Sequence, residues 1–128
     1  MRLAALLAGL LCLLGMAAAP VSDDKWTPAR KAMYRERARG AFTHAWDSYN
    51  THAGNSDELK PLSCKGGAMH FGGLGLTLVD ALDTLAVLGN RTEFRRVVRW
   101  IEDNLDLDTD VNVSLFESNI RVLGGLIR

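Results

Sequence analysis

The feature that most constrains the fold is a nearly continuous apolar segment between residues 75 and 88. Thr77, Asp80 and Thr84 occupy positions i, i+3 and i+7 of this segment, which places them along one side of a helix. A carboxylate on an otherwise apolar helix needs an ion pair, a hydrogen bond or a water-filled cavity. Either Asp80 and the adjacent Asp83 bond to a neighbouring helix, or they line a functional site, and the segment alone favours neither.

The rest of the chain carries apolar residues at helical spacing. A first helix is expected from about residue 28 to residue 53, because Thr27 can cap it ahead of a proline. Thr92 is expected to cap a third helix and Ser114 a fourth. Residues 54–73 contain glycine and proline without a period, which indicates a loop. Four helices, short connections and no convincing strand predict an all-α fold of successive antiparallel hairpins.

Glu117 has both a structural and a chemical interpretation. It occupies the third position of a capping box that starts at Ser114, and Arg121 follows at i+4, where an ordinary ion pair can form. Gly124 and Gly125, on the next turn, lower helix stability, so they indicate close backbone packing or a nearby ligand. The apolar face of this fourth helix consists of Phe116, Ile120, Leu123 and Ile127.

Acidic residues before the fourth helix match part of a calcium-binding loop. Asp106, Asp108, Asp110 and Glu117 occupy positions one, three, five and twelve of an EF-hand loop between two predicted helices. The sixth position, however, is Val111, and a β-branched side chain resists the left-handed turn that glycine supplies there. A small secreted helical module that binds calcium through these residues is an alternative.

The amino terminus has the form of a secretory signal. Arg2 precedes an apolar run over residues 3–14, and small residues follow that run. We therefore expect a signal peptide at residues 1–19 and a linker at residues 20–27. A membrane anchor through residues 3–19 is the alternative, because the run is near the lower length limit for spanning a bilayer.

Two further features fit a chain that enters the secretory pathway. Asn90 and Asn112 each begin an Asn-x-Ser/Thr acceptor for N-glycosylation. Cys12 lies within the expected signal, so Cys64 would be the single thiol of the mature chain in an oxidising compartment. The 15 basic and 15 acidic side chains are interleaved and form no positive patch of the kind that nucleic-acid binding requires, so no nucleic-acid partner is expected.

Three long motifs in register resemble the start of the class I α-mannosidases, glycoside hydrolase family 47. They are DELKPL at residues 57–62, GLTLVDALDT at residues 75–84 and FESNIRVLGGL at residues 116–126. Within the family, the sequence resembles the ER degradation-enhancing α-mannosidase-like branch, on the stretches 34–37, 44–49, 61–64 and 108–114. The resemblance covers essentially everything from about residue 34 to residue 128.

The resemblance implies a barrel of paired inner and outer helices, an (α/α) fold, with residues 28–128 as the amino-terminal portion of its catalytic domain. The implied activity is the removal of terminal α-1,2-linked mannose from high-mannose N-glycans by inverting hydrolysis, with Ca²⁺ as cofactor. Residue by residue, Glu117 matches the catalytic acid and Asp80 an acidic position of the active-site region, so both are candidate catalytic residues. Arg121 matches an arginine that lines the substrate pocket.

The same resemblance implies a place in the endoplasmic reticulum lumen, acting on misfolded glycoproteins in ER-associated degradation. A lectin-like receptor that uses the same pocket without turnover is the alternative. Cys64 is implied to form a disulfide with a later cysteine or with an ER oxidoreductase. Members of the family continue for several hundred residues, which contain the remaining catalytic carboxylates and a calcium-binding threonine. We therefore expect this chain to be an incomplete piece that is inactive alone.

Overall fold

The computed structural model describes residues 26–68 and 71–127, which form a helical chain with one small hairpin. Its elements are α1 (Pro28–His52), β1 (Glu58–Lys60), β2 (Lys65–Gly67), α2 (Leu76–Val87), α3 (Arg91–Asn104), α4 (Leu115–Glu117), a π-helical turn (Ser118–Leu123) and α5 (Gly124–Ile127). The predicted all-α class is confirmed. The expected signal peptide and most of the expected linker lie outside the described residues. Within the described ranges, no helix is long and apolar enough to cross a membrane.

Contacts within the chain divide it into two units, Met1–Tyr34 and Arg35–Arg128, with the boundary inside α1. In the described part of the first unit, the hydroxyl of Thr27 accepts a hydrogen bond from the amide of Arg30 at 3.2 Å. The predicted cap of α1 is therefore confirmed. The candidate active-site residues all belong to the second unit.

The core of the second unit forms where α1, α2 and α3 meet. α2 supplies most of it because this helix is apolar on nearly every side, and Leu78 and Leu85 are completely buried. The buried residues of this cluster are Trp46, Tyr49, Ala53, Leu78, Ala81, Leu82, Leu85 and Val97. A second, smaller cluster joins Leu76 of α2 to Phe71 and Val122. α2 is therefore the element around which the others pack.

The start of α3 differs from the prediction. The side chain of Asn90, not that of Thr92, caps this helix, and its Oδ1 accepts the amide of Glu93 at 3.3 Å. Gly89 adopts a left-handed φ of 74° after α2, and this sharp turn allows α3 to begin at once, at Arg91. Thr92 thereby falls inside the first turn, where its hydroxyl is not at the capping position.

The predicted loop at residues 54–73 contains an antiparallel hairpin of β1 and β2. Its register pairs Glu58 with Gly67 and Lys60 with Lys65. β2 consists of a lysine and two glycines, and strands of three residues are too short for alternation to be visible in the sequence. The expectation of no strand was therefore wrong here, although the helical class of the fold is unaffected.

A hydrogen-bonded network links α1 to α3 beside the core. The indole Nε1 of Trp46 donates to Glu93 Oε2 at 2.9 Å, and Arg96 Nε donates to the same oxygen at 3.0 Å. A terminal nitrogen of Arg96 donates to Asn50 Oδ1 at 2.8 Å. The hydrogen bond from Arg96 holds the pKa of Glu93 below its ordinary value, outweighing the opposite effect of partial burial. Glu93 is therefore a charged acceptor that two helices share.

Replacing Glu93 by glutamine is expected to remove a pH-dependent part of the stability. Because the folded-state pKa is lowered, the ionised carboxylate stabilises the fold above the unfolded-state pKa of about 4.3. That contribution is lost as the pH falls through the lower folded-state value. In urea unfolding, Glu93→Gln should be less stable than the parent at about pH 6, and the difference should shrink as the pH falls below the unfolded-state pKa.

The matched control is Glu102→Gln, at an exposed position of the same helix. This variant should follow the parent at every pH, because a solvated glutamate gains little on folding. If Glu93→Gln differed from the parent by a constant amount across the range, the carboxylate of Glu93 would not be the titrating group.

Candidate active site

The C-terminal segment lies against α2 and brings Arg121 to Asp80. The guanidinium Nε of Arg121 donates to Asp80 Oδ2 at 2.7 Å, and one terminal nitrogen lies 2.5 Å from the same oxygen. The side chains of Arg121 and Asp80 are 25% and 32% exposed, so the pair is partly shielded from solvent. Asp80 thus has the ionic partner that a carboxylate on an apolar helix requires.

Glu117 ends α4 beside this ion pair. Its backbone amide donates to Ser114 Oγ at 3.3 Å, which confirms Ser114 as the cap of the fourth predicted helix. Its carboxylate is 42% exposed and lies 3.9 Å from the other terminal nitrogen of Arg121. Within the described part of the chain, this carboxylate does not bond back to the Ser114 amide. Ser114 therefore caps the backbone amide of Glu117, and the side chain of Glu117 stays accessible to solvent.

Arg121 contacts the two carboxylates unequally. Its nitrogens lie within 2.7 Å of Asp80 Oδ2 but 3.9 Å from Glu117, although Asp80 is 41 residues away in sequence. The tertiary contact is thus closer than the local i, i+4 contact that the sequence suggested as an ordinary ion pair. Glu117, Asp80 and Arg121, the three residues singled out from the sequence, come together. Asp83 accepts a hydrogen bond from Thr84 at 3.5 Å.

The backbone that carries Arg121 is not the regular helix that the sequence predicted. Ser118–Leu123 is a π-helical turn, and such single turns occur frequently at functional sites. Within this turn Val122 is buried, whereas Ile120 and Leu123 are about half exposed. Large apolar side chains of the predicted face that lie at the surface are Phe116, Ile120, Leu123 and Ile127.

Gly125 allows the C-terminal segment to approach α2 closely. A Cβ atom at this position would stand 2.9 Å from both the carbonyl oxygen and the Cγ1 of Val79, which is closer than packed atoms approach. A Cβ atom at Gly124 would find its nearest neighbour, the carbonyl oxygen of Asn119, at an ordinary 3.6 Å. Close backbone packing, one of the two interpretations of the glycine pair, is therefore present at Gly125 but not at Gly124, and it falls next to Asp80.

Asp57 is a functional candidate that the sequence pattern placed in a loop. Its side chain is completely buried. Oδ2 accepts the amide of Gly73 at 2.9 Å and Oδ1 accepts the amide of Leu76 at 3.1 Å, so the carboxylate joins the preceding loop to the start of α2. Residues 57–62 stood out as a family motif. Aspartates among turn residues are mostly exposed, however, and nothing local indicated that this one is buried.

The residues considered for metal binding are not gathered into a site. Asp106, Asp108 and Asp110 are exposed on a segment without helix or strand, and Asp106 Oδ1 accepts the amide of Asp108 at 2.9 Å. Among the residues that the structure describes, no group of three or more His, Cys, Asp or Glu is placed to hold a metal ion. These residues therefore do not form the EF-hand-like loop that the sequence offered as an alternative, whereas the family resemblance places its calcium-binding threonine outside this chain.

The remaining predicted residues lie at the surface. Asn90 and Asn112 are both exposed, and Asn90 uses its Oδ1 as the cap of α3. Cys64 is an exposed free thiol in the turn between β1 and β2. Its backbone adopts a left-handed φ of 52°, and its sulfur lies 3.7 Å from the carbonyl oxygen of Pro61.

An accessible carboxylate beside an arginine that a second carboxylate holds, on an all-helical frame, is compatible with the class of enzymes that hydrolyse glycosidic bonds, which use carboxyl groups as acids and bases. The chain belongs to glycosyl hydrolase family 47, whose profile matches residues 41–128. The fold is correspondingly that of part of an all-α, helical-hairpin barrel.

Similar proteins support this assignment. The chain is 50% identical over 119 residues to ER degradation-enhancing alpha-mannosidase-like protein 2 of Mus musculus, covering 93% of this chain and 20% of that protein. It is 55% identical over 96 residues to the Homo sapiens protein of the same name, covering 75% and 16%. It is 52% identical over 95 residues to endoplasmic reticulum mannosyl-oligosaccharide 1,2-alpha-mannosidase of Mus musculus, covering 72% and 14%. The chain spans a fifth or less of the length of these relatives.

The two neighbouring glycines provide a test of the close packing at the site. Gly125→Ala is expected to destabilise the fold by about 1–3 kcal/mol, because the added methyl group overlaps the backbone of Val79. Gly124→Ala is the matched control and should be neutral or stabilising by up to about 1 kcal/mol, because alanine is the better helix former. Urea unfolding measures both. Equal effects would mean that contact with Val79 is not what requires glycine at position 125.

Proposed function

We propose that the full-length protein is an inverting α-1,2-mannosidase that trims mannose from N-linked high-mannose glycans. Its substrates are glycans on misfolded glycoproteins in the endoplasmic reticulum, where trimming marks these proteins for degradation. The observation that carries the proposal is the placement of Glu117, an accessible carboxylate beside an arginine that Asp80 already holds, in a chain of family 47. The names of the similar proteins, which include a 1,2-alpha-mannosidase and ER degradation-enhancing proteins, support it.

Glu117 suits the role of catalytic acid. Inverting hydrolysis needs one carboxylic acid to protonate the departing glycosidic oxygen and one carboxylate, across the sugar, to activate water. The carboxylate of Glu117 is 3.9 Å from Arg121 and 42% exposed, so it can reach a sugar without first breaking a close ion pair.

Arg121 and Asp80 divide two supporting roles in this proposal. Asp80 holds Nε and one terminal nitrogen of Arg121 through a single oxygen, which fixes the plane of the guanidinium. The other terminal nitrogen points toward Glu117. Guanidinium nitrogens are donors only, so this nitrogen can donate to a sugar hydroxyl or to the glycosidic oxygen beside the acid. Asp80 is thus an acidic residue of the site that positions Arg121.

The carboxylate that activates water is assigned to another part of the full-length protein. Asp80 binds two nitrogens of Arg121 through Oδ2, so in this proposal it positions the arginine and a different carboxylate activates the water. A lone acid cannot complete inverting hydrolysis, and we expect the 128-residue polypeptide to be inactive alone. The family resemblance places the calcium-binding threonine outside this chain, so none of the steps given to this chain uses that ion.

The exchange of Glu117 for glutamine tests the catalytic role. In the full-length protein, Glu117→Gln should lower the rate of mannose release from a high-mannose N-glycan by about 10²–10⁴-fold, because glutamine cannot donate the proton. Glycan binding should persist, because the shape and the contacts of the side chain are kept. The control Glu102→Gln, at an exposed position of α3, should release mannose at the parent rate.

Two outcomes would contradict this assignment in different ways. Release of mannose by Glu117→Gln at the parent rate would show that Glu117 is not the acid. A parent protein that captures the glycan without releasing mannose would favour the lectin-like receptor instead. Glycan capture by equilibrium binding and chromatography of the released sugar distinguish the two.

We also propose that the protein enters the endoplasmic reticulum lumen and carries glycans at Asn90 and Asn112. Both residues are exposed, and the cap of α3 uses Oδ1 of Asn90, whereas a glycan attaches to the side-chain nitrogen. In that oxidising compartment the exposed thiol of Cys64 is available to a later cysteine of the full-length protein or to an ER oxidoreductase.

Two substitutions within one sequon separate glycosylation from helix capping. Asn90→Gln removes both the acceptor and the cap, whereas Thr92→Ala removes the acceptor sequence and leaves the cap of Asn90 intact. When expressed in cells, each variant should migrate faster on gel electrophoresis than the parent by the mass of one N-glycan, and treatment with an N-glycosidase should abolish this difference. Only Asn90→Gln should also lose stability, by about 1 kcal/mol, the usual value of a helix cap. If both variants migrated with the parent, the proposed glycosylation of Asn90 would be ruled out.

A further inference from the structure

The start of α2 cannot be capped from within the helix. Gly75, the residue before α2, has no side chain and adopts a left-handed φ of 67°. A side chain at this position would collide with the ring of Trp100, so a conventional capping residue does not fit. The first amides of a helix have no partner within it. α2 therefore needs hydrogen-bond acceptors from another part of the fold.

Asp57 supplies these acceptors with both its side chain and its backbone. Its Oδ1 accepts the amide of Leu76 at 3.1 Å. Its carbonyl oxygen accepts the amide of Thr77 at 3.2 Å and the hydroxyl of Thr77 at 2.7 Å. A negative charge at the amino end of a helix is also favoured by the helix dipole. Oδ2 of Asp57 accepts the amide of Gly73, so a single buried residue connects the preceding loop to the first turn of α2.

The candidate active-site contacts begin one turn further along α2. Asp80 follows Thr77 at i+3 and so lies on the same side of the helix. Its carboxylate holds Arg121, and the backbone of the preceding Val79 is the surface that Gly125 approaches. A shift of the first turn would change both contacts together, because a close-packed interior transmits displacement.

We propose that Asp57 is a positioning residue for the active site. It fixes the first turn of α2, so that Asp80 can hold Arg121 beside Glu117. The proposal rests on the proposed function, since it concerns the geometry of that same site. Asp57 is completely buried and acts through α2 rather than by touching a substrate. An ordinary helix cap would affect stability alone, whereas a positioning residue also affects the contact between Asp80 and Arg121.

The substitution Asp57→Asn tests this role. Asparagine has one oxygen where aspartate has two, so in either orientation one of the two amides, Gly73 or Leu76, loses its acceptor. In the full-length protein, kcat for a high-mannose glycan should fall by about 10–100-fold with a smaller change in KM, because a small misplacement of a catalytic group lowers the rate strongly. The control Val97→Ala destabilises the core from α3 and should leave kcat within about twofold of the parent while both are folded.

A second readout does not depend on mannosidase activity. A double-mutant cycle measures the interaction free energy between Asp80 and Arg121. The cycle consists of urea unfolding of Asp80→Asn, Arg121→Gln and the double variant, and it is run first in the parent and then in the Asp57→Asn background. The proposal expects a coupling in the parent that falls to zero within error when Asp57 is replaced. A coupling of unchanged size would overturn it. A parent without mannosidase activity would count against the proposed function, and the coupling would still decide the role of Asp57.

A milder variant keeps the test decisive if Asp57→Asn does not fold. Thr77→Val removes only the hydroxyl contact on the Asp57 carbonyl oxygen and leaves the carboxylate in place. The same cycle in this background should show a reduced coupling between Asp80 and Arg121. An undiminished coupling would mean that the first turn of α2 does not control that ion pair, and the proposal would fail.

Discussion

α2 is buried on almost every side, and the polar groups that it carries are stable there only with partners from other elements. At its start the amides bond to Asp57, and further along the carboxylate of Asp80 bonds to Arg121. Each buried polar group left without a partner would cost about 1–3 kcal/mol, out of a total stability of about 5–15 kcal/mol for a typical domain. The contacts that make this helix stable are therefore the ones that bring the candidate active-site groups together.

Features that depend on neighbours in sequence could be predicted. Thr27 and Ser114 are caps because a hydroxyl precedes a helical segment, and both bonds are present. The cap of α3 was misplaced because Asn90 and Thr92 are both acceptable capping residues. The choice between them is made by the left-handed turn at Gly89, which depends on how α2 ends. Residue type alone does not determine that turn.

The candidate site was only partly predictable, because its contacts join distant parts of the chain. The helical period placed Asp80 in line with Thr77 and Thr84, but only the family resemblance pointed to Asp80 as a residue of the active site. The ion pair with Arg121 spans 41 residues and forms only after α2 and the C-terminal segment have packed. The burial of Asp57 and the π-helical turn at Ser118–Leu123 have the same origin, since both depend on packing against α2.

Structural and chemical roles of one residue can be compatible when they use different atoms. The amide of Glu117 donates to the cap while its carboxylate stays accessible. The guanidinium of Arg121 is divided in the same way, with two nitrogens on Asp80 and the third toward Glu117. A sequence shows only the residue, so capping and catalysis look like competing explanations of Glu117. In the folded chain, Ser114 caps the backbone amide of Glu117 while the carboxylate of Glu117 stays accessible to solvent.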